Sequence, residues 1–425
     1  MSVIGFVNMA MRELSIKKCG ITYFLCIYIG LYLEKIKNFH PDFFILVNNQ
    51  FWDISSYFDV PIIIYDVDSP NVFCNIEKLK QNKRYKYLTI QKSSVSLIRE
   101  ILEDDSLEVE YIPPFSGVQA EECEQRINIG FCGSHWLWND FCQVEDFLST
   151  NPTEEERLAA KAVYKAFSEN PFFSFEEFYK NLGLSVSKKL KDGPLYYIST
   201  RLSGLKRLRC LLQLEDLGLE VRGYLWNQPK STPLKAFPEV LLSWSDEPVN
   251  NTLSTQRFYN SAKIGFNINH IQAKSGFSWR VCDILASNAC LVSEATPDLM
   301  NLGFRIATYK SAAEARELCK QLLADESLRL EYVTAAHEAI EKNHRFEVVL
   351  PLMEEFIGMS LSAEGVGSLE MIRVSQPEVP PAAQLTAFAD KVPFPILDKS
   401  RIRSFKDKLF YSIAKHYYKK IKYSE

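Results

Sequence analysis

Short apolar runs alternate with amphipathic stretches along the chain from residue 42 onward. This alternation predicts strands that take turns with helices, as in an α/β fold. In the first part of the chain, the pattern predicts strands at 43–47, 61–65, 87–90 and 109–112 and a helix at 93–103. Because a helix of this length connects neighbouring parallel strands, we expect a parallel sheet.

A second α/β series follows Pro113-Pro114 and a charged stretch. It predicts strands at 127–132, 219–224, 264–268 and 289–292, and helices at 201–216, 278–287, 312–324, 328–342 and 348–357. Residues 136–195 show only helical patterns, at 154–168 and 175–182, which predicts a helical insert. The sequence therefore predicts two Rossmann-like domains facing a cleft, residues 1–125 and 126–359, with the ligand in the cleft.

The end of the chain has a different pattern. Residues 360–400 carry five prolines between 377 and 395, which predicts an extended linker. In residues 401–425, apolar side chains recur every three or four positions among basic ones: Ile402, Phe405, Leu409, Ile413, Tyr417 and Ile421. This pattern is typical of an amphipathic helix that binds an anionic membrane surface, a partner groove or its own protein.

Composition and charge narrow the function classes. The 425 residues carry 49 basic and 53 acidic side chains, a net charge of −4, without the positive excess typical of nucleic-acid coats. Eight basic and two acidic residues fall in 401–425, so an acidic body ends in a basic tail. Ten cysteines lie singly without a CxxC pair, which favours reduced thiols in the cytoplasm. The longest apolar run, residues 20–33, is too short to span a bilayer and predicts a buried helix.

Several common motifs are absent. No GxGxxG follows a predicted strand, and the chain contains neither a GxxxxGK[ST] loop nor a GxSxG elbow. The sequence thus gives no support to the usual dinucleotide site, a P-loop NTPase or an α/β-hydrolase.

The most informative segment is 254–301. It contains Tyr259-Asn260-Ser261-Ala262-Lys263-Ile264 with Asn267-Ile268, and then Gly276, Arg280-Val281, Asp283-Ile284 and Ala286. These elements resemble the donor domain of GT-B glycosyltransferases, most closely the CgeB-type branch of spore maturation proteins. Asp68-Ser69-Pro70 and Phe131-Cys132-Gly133-Ser134 are similar to further landmarks of that branch, in the same order.

The resemblance implies that a nucleotide-diphosphate sugar is the donor, that its anomeric configuration is retained and that Asp283 holds the ribose. Where the larger family has the first Glu of a Glu-x7-Glu pattern, this chain has Ser275. An ordinary surface ion pair between Arg280 and Asp283 is the alternative interpretation of their i,i+3 spacing.

The residues themselves indicate a donor site in the same place. Polar groups follow the strand at 264–268, and the next helix begins after a glycine turn with a cation on either side, an arrangement suited to phosphate. The predicted donor-binding residues are Gly133, Ser134, Lys206, Asn267, Asn269, His270, Lys274, Gly276, Phe277, Ser278 and Asp283.

Three residues are predicted to be catalytic: Asp68, Arg201 and Arg280. Arg201 and Lys206 have the Arg-x4-Lys spacing used against a departing diphosphate, although a solvated basic helix gives the same pattern. Asp66-Val67-Asp68 could hold a divalent ion as in GT-A enzymes, but that would leave segment 254–301 without a role. A capping role for Asp68, or a general base at Asp66 or Asp68 facing the acceptor, is preferred.

The leading hypothesis is a metal-independent glycosyltransferase without a cofactor, in the cytoplasm or peripheral to the inner face of the membrane. Lys274, Arg280, Arg201 and the helix N-terminus would stabilise the leaving diphosphate. The acceptor would be a glycan, a lipid-linked or a protein acceptor, and no nucleic-acid partner is expected. The alternative hypothesis is a non-catalytic bilobed protein that binds a nucleotide or sugar and acts through partners.

Overall fold

The computed structural model describes residues 42–48, 52–70, 73, 76–82, 84–134, 151–172, 194–223, 238–245, 247, 249–270, 273 and 275–359. The strands are β1 (Phe44–Val47), β2 (Ile62–Asp66), β3 (Tyr85–Thr89), β4 (Val109–Tyr111), β5 (Ile127–Cys132), β6 (Leu219–Arg222), β7 (Ala262–Asn267), β8 (Cys290–Glu294) and β9 (Ala307–Tyr309). The predicted helices at 20–33, 175–182 and 401–425, the linker at 360–400 and Lys274 lie outside the described residues.

Eleven α-helices are described, together with two 3-10 turns at Trp52–Ser56 and Glu215–Leu217. The helices are α1 (Ile76–Gln81), α2 (Lys92–Leu102), α3 (Glu154–Glu169), α4 (Pro194–Leu212), α5 (Pro238–Leu242), α6 (Thr252–Asn260), α7 (Trp279–Leu285), α8 (Pro297–Met300), α9 (Ala312–Ala324), α10 (Glu326–Asn343) and α11 (Phe346–Ile357).

The strands form two sheets, with orders β1-β2-β3-β4 and β6-β5-β7-β8-β9. The pairing of β3 with β4 and the four pairings of the second sheet are all parallel. Parallel sheets with helices between the strands confirm the predicted α/β class and its Rossmann-like order. The order of the second sheet reverses beside β5, which pairs with β6 on one side and β7 on the other.

The chain divides into two compact units. The first consists of Met1–Ile64 together with Ser362–Glu425, and the second is Tyr65–Leu361. In the first unit, the ring of Phe44 packs edge-on against Phe58 with the ring centroids 5.0 Å apart. All contacts described below lie within the second unit. The predicted boundary between domains near residue 125 stays a prediction.

The second sheet is buried by apolar side chains on both faces. One face packs against α4 and α9, with Leu208, Leu211, Cys319 and Leu322 in the core. The other face packs against α6, α7 and α10, with Phe258, Val281, Ile284, Ala336 and Ile340. Because both faces of the sheet are covered, its strands appear in the sequence as continuous apolar runs.

Close packing of α7 on β7 depends on a glycine. A Cβ at Gly265 would lie 2.4 Å from the side chain of Ile284, so only a residue without a side chain fits there. The close packing of Ile284 on Gly265 holds α7 against the sheet. Arg280 lies in the first turn of this helix and is held in place with it.

Candidate active site

The carboxyl ends of β5 and β7 lie side by side where the order of the second sheet reverses. In open α/β sheets this topological switch point is the usual place for a ligand. The chain leaves β5 through Gly133 and Ser134, and it leaves β7 through Ile268, Asn269 and His270. The predicted polar residues of both strand ends are therefore neighbours.

Asn267 organises this edge of the sheet. Its side chain is fully buried, and its amide nitrogen donates to Asn269 Oδ1 at 3.0 Å and to Ser293 Oγ at 2.9 Å. Its amide oxygen accepts a hydrogen bond of 3.1 Å from Arg280 Nη1. Because both amide donors are occupied, the oxygen is held in place to receive the guanidinium group.

Arg280 reaches the switch point from the first turn of α7. Its guanidinium lies 5.5 Å from the ring centroid of Phe131, the inward-facing residue near the end of β5. A Cβ at Gly133 would approach Arg280 Nη2 to 2.9 Å, so the absence of a side chain at 133 leaves room for this cation. The structure thus brings Gly133, Asn267 and Arg280 together, as the sequence predicts.

Asp283 follows Arg280 by one helical turn on α7. Burial raises the pKa of its carboxyl group to about 6, while the hydroxyl of Ser116 and the charge of Arg280 lower it. Ser116 Oγ donates to Asp283 Oδ1 at 2.7 Å. Asp283 is therefore a half-buried acid anchored by a residue 167 positions earlier, which differs from an ordinary exposed surface pair with Arg280.

Lys206 and Glu294 form an ion pair beside the switch point. Lys206 Nζ lies 2.8 and 2.9 Å from the two carboxylate oxygens of Glu294, and the side chains are 7% and 15% exposed. Glu294 ends β8 and also accepts the backbone N–H of Asn269 at 3.1 Å. The ammonium group of Lys206 is thus committed to a protein carboxylate, which holds the loop after β7.

Arg207 extends from α4 to both strand ends. Its Nη1 donates to the carbonyl oxygen of Ser134 at 2.6 Å, and its Nη2 donates to that of Ile268 at 3.2 Å. The side chain is buried, and burial, followed by the charge of Arg280, lowers its pKa to about 9. A second cation therefore lies at the switch point next to Arg280.

Gln91 connects two predicted site residues. Its Nε2 donates to the carbonyl oxygen of Asp68 at 2.9 Å, and its Oε1 accepts the N–H of Gly276 at 3.3 Å. A Cβ at Gly276 would lie 2.4 Å from Gln91 Cγ, so a glycine is needed at 276.

Ser275, at the position that the sequence resemblance aligns with the first Glu, faces the start of α2. Its hydroxyl lies 2.9 Å from Asp298 Oδ2 and 2.9 Å from Ser93 Oγ, and it accepts the N–H of Ser93 at 3.2 Å. Asp298 also accepts the N–H of Lys92 at 3.1 Å. The first turn of α2 is thus capped by side chains far away in sequence.

The remaining predicted donor residues have different surroundings. Phe277 is 2% exposed and packs its ring against His344, so it is a core residue. Ser278 precedes α7 as its N-cap without a side-chain cap, and its Oγ is buried without a hydrogen-bond partner among the described residues. His270 is half-buried, and its carbonyl oxygen accepts the N–H of Ala273.

The two aspartates after β2 differ in exposure. Asp66 is fully buried and accepts a 2.9 Å hydrogen bond from Thr89, whereas Asp68 is exposed. Burial raises the pKa of Asp66 to about 7; the charge of Asp68 contributes to the rise, and hydrogen bonds with Thr89 and Ser94 oppose it. Of these two aspartates, only Asp68 is exposed to solvent.

Arg201 lies on α4 beside Tyr164 of α3. Burial raises the pKa of Tyr164, and the charge of Arg201 opposes part of this rise. Lys206 and Arg207, further along the same helix, reach the strand ends instead.

Within the described residues, no three or more His, Cys, Asp and Glu side chains are grouped so that they could hold a metal ion. In the same part of the chain, no helix is long and apolar enough to cross a membrane.

Four residues of this site were not predicted from the sequence: Arg207, Glu294, Ser116 and Gln91. Glu294 has a signal that could have found it, because it ends an apolar strand beside Asn267 in the same sheet. Arg207 stands in a run of basic residues, and the sequence does not say which of them the fold buries.

Comparison with known proteins supports a glycosyltransferase. Residues 207–354 match the family model described as Glycosyl transferase-like. This match confirms, for that part of the chain, the prediction of a glycosyltransferase enzyme. The matched residues include Arg207, Asn267, Arg280, Asp283 and Glu294. No curated protein matches the sequence.

Three solved structures illustrate the similarity of fold. The T4 phage BGT in complex with UDP and Mn2+ has 12% identity and a TM-score of 0.45, over 77% of this chain and 86% of that chain. WaaG, a glycosyltransferase involved in lipopolysaccharide biosynthesis, has 11% identity and a TM-score of 0.44, over 78% and 82%. A mutant of S. aureus TarM in complex with Fondaparinux, alpha-GlcNAc-glycerol and UDP has 12% identity and a TM-score of 0.44, over 78% and 58%.

Proposed function

We propose that the protein transfers a sugar from a nucleotide-diphosphate sugar to a glycan, lipid-linked or protein acceptor, and that the donor binds at the switch point of the second sheet. The observation that carries the proposal is the placement of Arg280. Its guanidinium is fixed by Asn267 at the carboxyl end of β7, beside a second buried cation, Arg207. Such a site favours an anion, and it lies inside the segment that matches the glycosyltransferase model.

Each residue of the site has a distinct part in this proposal. Arg280 would pair with the diphosphate and stabilise the charge that develops on it as the sugar leaves. Asp283, in its ionised form, would accept hydrogen bonds from ribose hydroxyls. The Lys206–Glu294 pair holds the loop after β7 and would support the donor indirectly.

Asp68 is proposed to face the acceptor. It is exposed at the end of β2, and Gln91 ties its backbone to Gly276 in the turn before α7. Metal-independent transfer, retention of configuration and membership of the CgeB-type branch are parts of the same proposal. Binding of an anionic membrane surface through residues 401–425 stays a prediction, since those residues lie outside the described part of the chain.

The test is turnover of donor sugars. The full-length protein would be incubated with a panel of UDP-, GDP- and CMP-sugars, with and without EDTA and with acceptor extracts, and donor hydrolysis or transfer would be measured. We expect turnover of at least one donor, retained in EDTA and lost in Arg280→Ala. Arg257→Ala, which removes an exposed arginine from α6, is the matched control and should keep full activity.

The alternative function gives a different result. Nucleotide binding by the wild type without turnover of any donor would contradict the enzyme and favour a nucleotide- or sugar-binding protein that acts through partners.

A further inference from the structure

Arg207 contacts the chain just after β5 and just after β7. Its two terminal nitrogens each donate to a different strand end, Nη1 to the Ser134 carbonyl and Nη2 to the Ile268 carbonyl. The planar guanidinium fork can span two acceptors in fixed directions, which a single ammonium group does less well. Arg207 therefore sets the separation of the two loops that frame the switch point.

The same side chain is part of an unusual pair of cations. The guanidinium groups of Arg207 and Arg280 each lie 5.5 Å from the ring centroid of Phe131. The charge of Arg280 contributes to lowering the pKa of Arg207, after burial. Two like charges at the same ring repel each other, and a multiply charged anion next to them lowers the energy of the site.

Two carboxylates of the described residues lie near these cations. Glu294 is paired with Lys206 at 2.8 Å and accepts the N–H of Asn269. Asp283 accepts from Ser116 and lies one turn along α7 from Arg280. Among the described groups of the site, the three cations Lys206, Arg207 and Arg280 thus face two carboxylates, and the charge of Glu294 acts on Arg207 as well as on Lys206.

We propose that Arg207 is a positioning residue of the donor site: by clamping the Ser134 and Ile268 carbonyls behind Arg280, it makes the site select a diphosphate over a monophosphate. This inference rests on the proposed function. Arg207 is buried and does not touch the donor. It acts through the two loops and through Arg280, which contacts the donor.

The test compares affinities for di- and monophosphates in three variants. Binding of UDP, GDP, ADP and CDP, of the matching monophosphates, and of pyrophosphate and phosphate would be measured by calorimetry. Arg207→Lys keeps the charge and loses the fork, and Arg207→Met loses both. Arg329→Lys is the matched control, because Arg329 is also buried and donates to a backbone carbonyl, that of Leu322, away from the switch point.

We expect the wild type to prefer the diphosphate of its nucleotide, and this preference to fall about tenfold in Arg207→Lys and further in Arg207→Met. Arg329→Lys should keep it. A purely structural role would lower the melting temperature and all affinities together, without changing the ratio of diphosphate affinity to monophosphate affinity. If Arg207→Met does not fold, as judged by circular dichroism, Arg207→Lys decides alone.

The inference is overturned if the wild type does not discriminate, or if the ratio is unchanged in the folded Arg207 variants. Failure of the proposed function looks different. A protein that turns over no donor sugar but loses its diphosphate preference in Arg207→Lys has the anion site without the transferase activity. A protein that transfers sugar normally in Arg207→Lys, with an unchanged ratio, has the activity without this role of Arg207.

Discussion

The hydroxyl group of Ser116 donates a hydrogen bond of 2.7 Å to the carboxylate of Asp283. The same hydroxyl accepts the backbone N–H of Val118, so its proton is directed to Asp283. This bond stabilises the ionised form of an acid whose burial favours the neutral form. The connection between β4 and β5 therefore helps to set the charge of the proposed donor site.

Removal of this hydroxyl is expected to shift the pH dependence of nucleotide binding. The pKa of Asp283 is about 6 with Ser116 in place, and Ser116→Ala should raise it because the carboxylate loses a donor. If the ionised acid holds the ribose, affinity rises with pH through this pKa, and the midpoint moves upward in the variant. Calorimetric titrations of the bound nucleoside diphosphate from pH 5 to 8 measure the shift. Ser96→Ala, an exposed serine on α2, is the control, and an unchanged midpoint in Ser116→Ala would refute the role of Asp283.

Asp66 is expected to make the protein less stable as the pH rises. Its pKa is about 7 in the folded state against an ordinary value of 3.8, so the folded state binds its proton more tightly than the unfolded state. The stabilisation is complete below about pH 4 and is lost as the pH rises to about 7, by up to about 4 kcal/mol. Asp66→Asn does not titrate. The difference in free energy of unfolding between variant and wild type should therefore change by a few kcal/mol between pH 4.5 and pH 8, and a constant difference would show that the acid is not perturbed.

A methyl group at position 133 is expected to weaken donor binding without unfolding the protein. The Cβ of Gly133→Ala would lie 2.9 Å from Arg280 Nη2, so the guanidinium must shift, and its hydrogen bond with Asn267 is disturbed. We expect nucleotide affinity to fall about tenfold, as for a lost charge-assisted hydrogen bond. Gly117→Ala is the matched control, because its Cβ meets Thr252 at an ordinary 3.5 Å. Equal affinities in the two variants would contradict the placement of Arg280.

The buried ion pair gives a prediction for stability. Lys206→Met leaves the carboxylate of Glu294 without its ammonium partner and should destabilise the fold by about 3 kcal/mol. The double variant Lys206→Met with Glu294→Gln should recover part of this loss, because no unpaired charge remains. Lys320→Met removes an exposed partner of Glu317 and should change stability by less than about 1 kcal/mol. Denaturant unfolding of the four proteins measures these values, and equal losses at Lys206 and Lys320 would contradict the burial of the pair.

Most strands and the longer helices could be predicted from the sequence. The strand at Ile127–Cys132 and the helix at Ala312–Ala324 have their predicted bounds, because a buried parallel strand and an amphipathic helix leave clear patterns. The strand Ala307–Tyr309 was missed because its sequence, Ala-Thr-Tyr, contains no run of large apolar residues. The helix predicted at 201–216 begins at Pro194 and ends at Leu212, before a 3-10 turn. Its first turns carry few charged residues and no amphipathic period that marks a start.

The site could be predicted only where a motif marks it. Asn267, Arg280 and Asp283 belong to the motif in segment 254–301. Asn267 and Arg280 meet at the end of one strand, and Asp283 lies on the same helix as Arg280. Phe277 stands in the same motif but is a core residue, since sequence spacing does not say which side chains face inward. Arg207, Gln91 and Ser116 act through contacts with residues 61 to 185 positions away, which the linear sequence does not reveal.

The most direct test of the central claim is calorimetric binding of nucleoside diphosphates to the wild type, Arg280→Ala and Arg257→Ala at pH 7.5. We predict that the wild type and Arg257→Ala bind one nucleoside diphosphate with equal affinity, and that Arg280→Ala binds it about 10- to 100-fold more weakly. Equal affinity in all three proteins would show that the donor does not bind at the switch point of the second sheet.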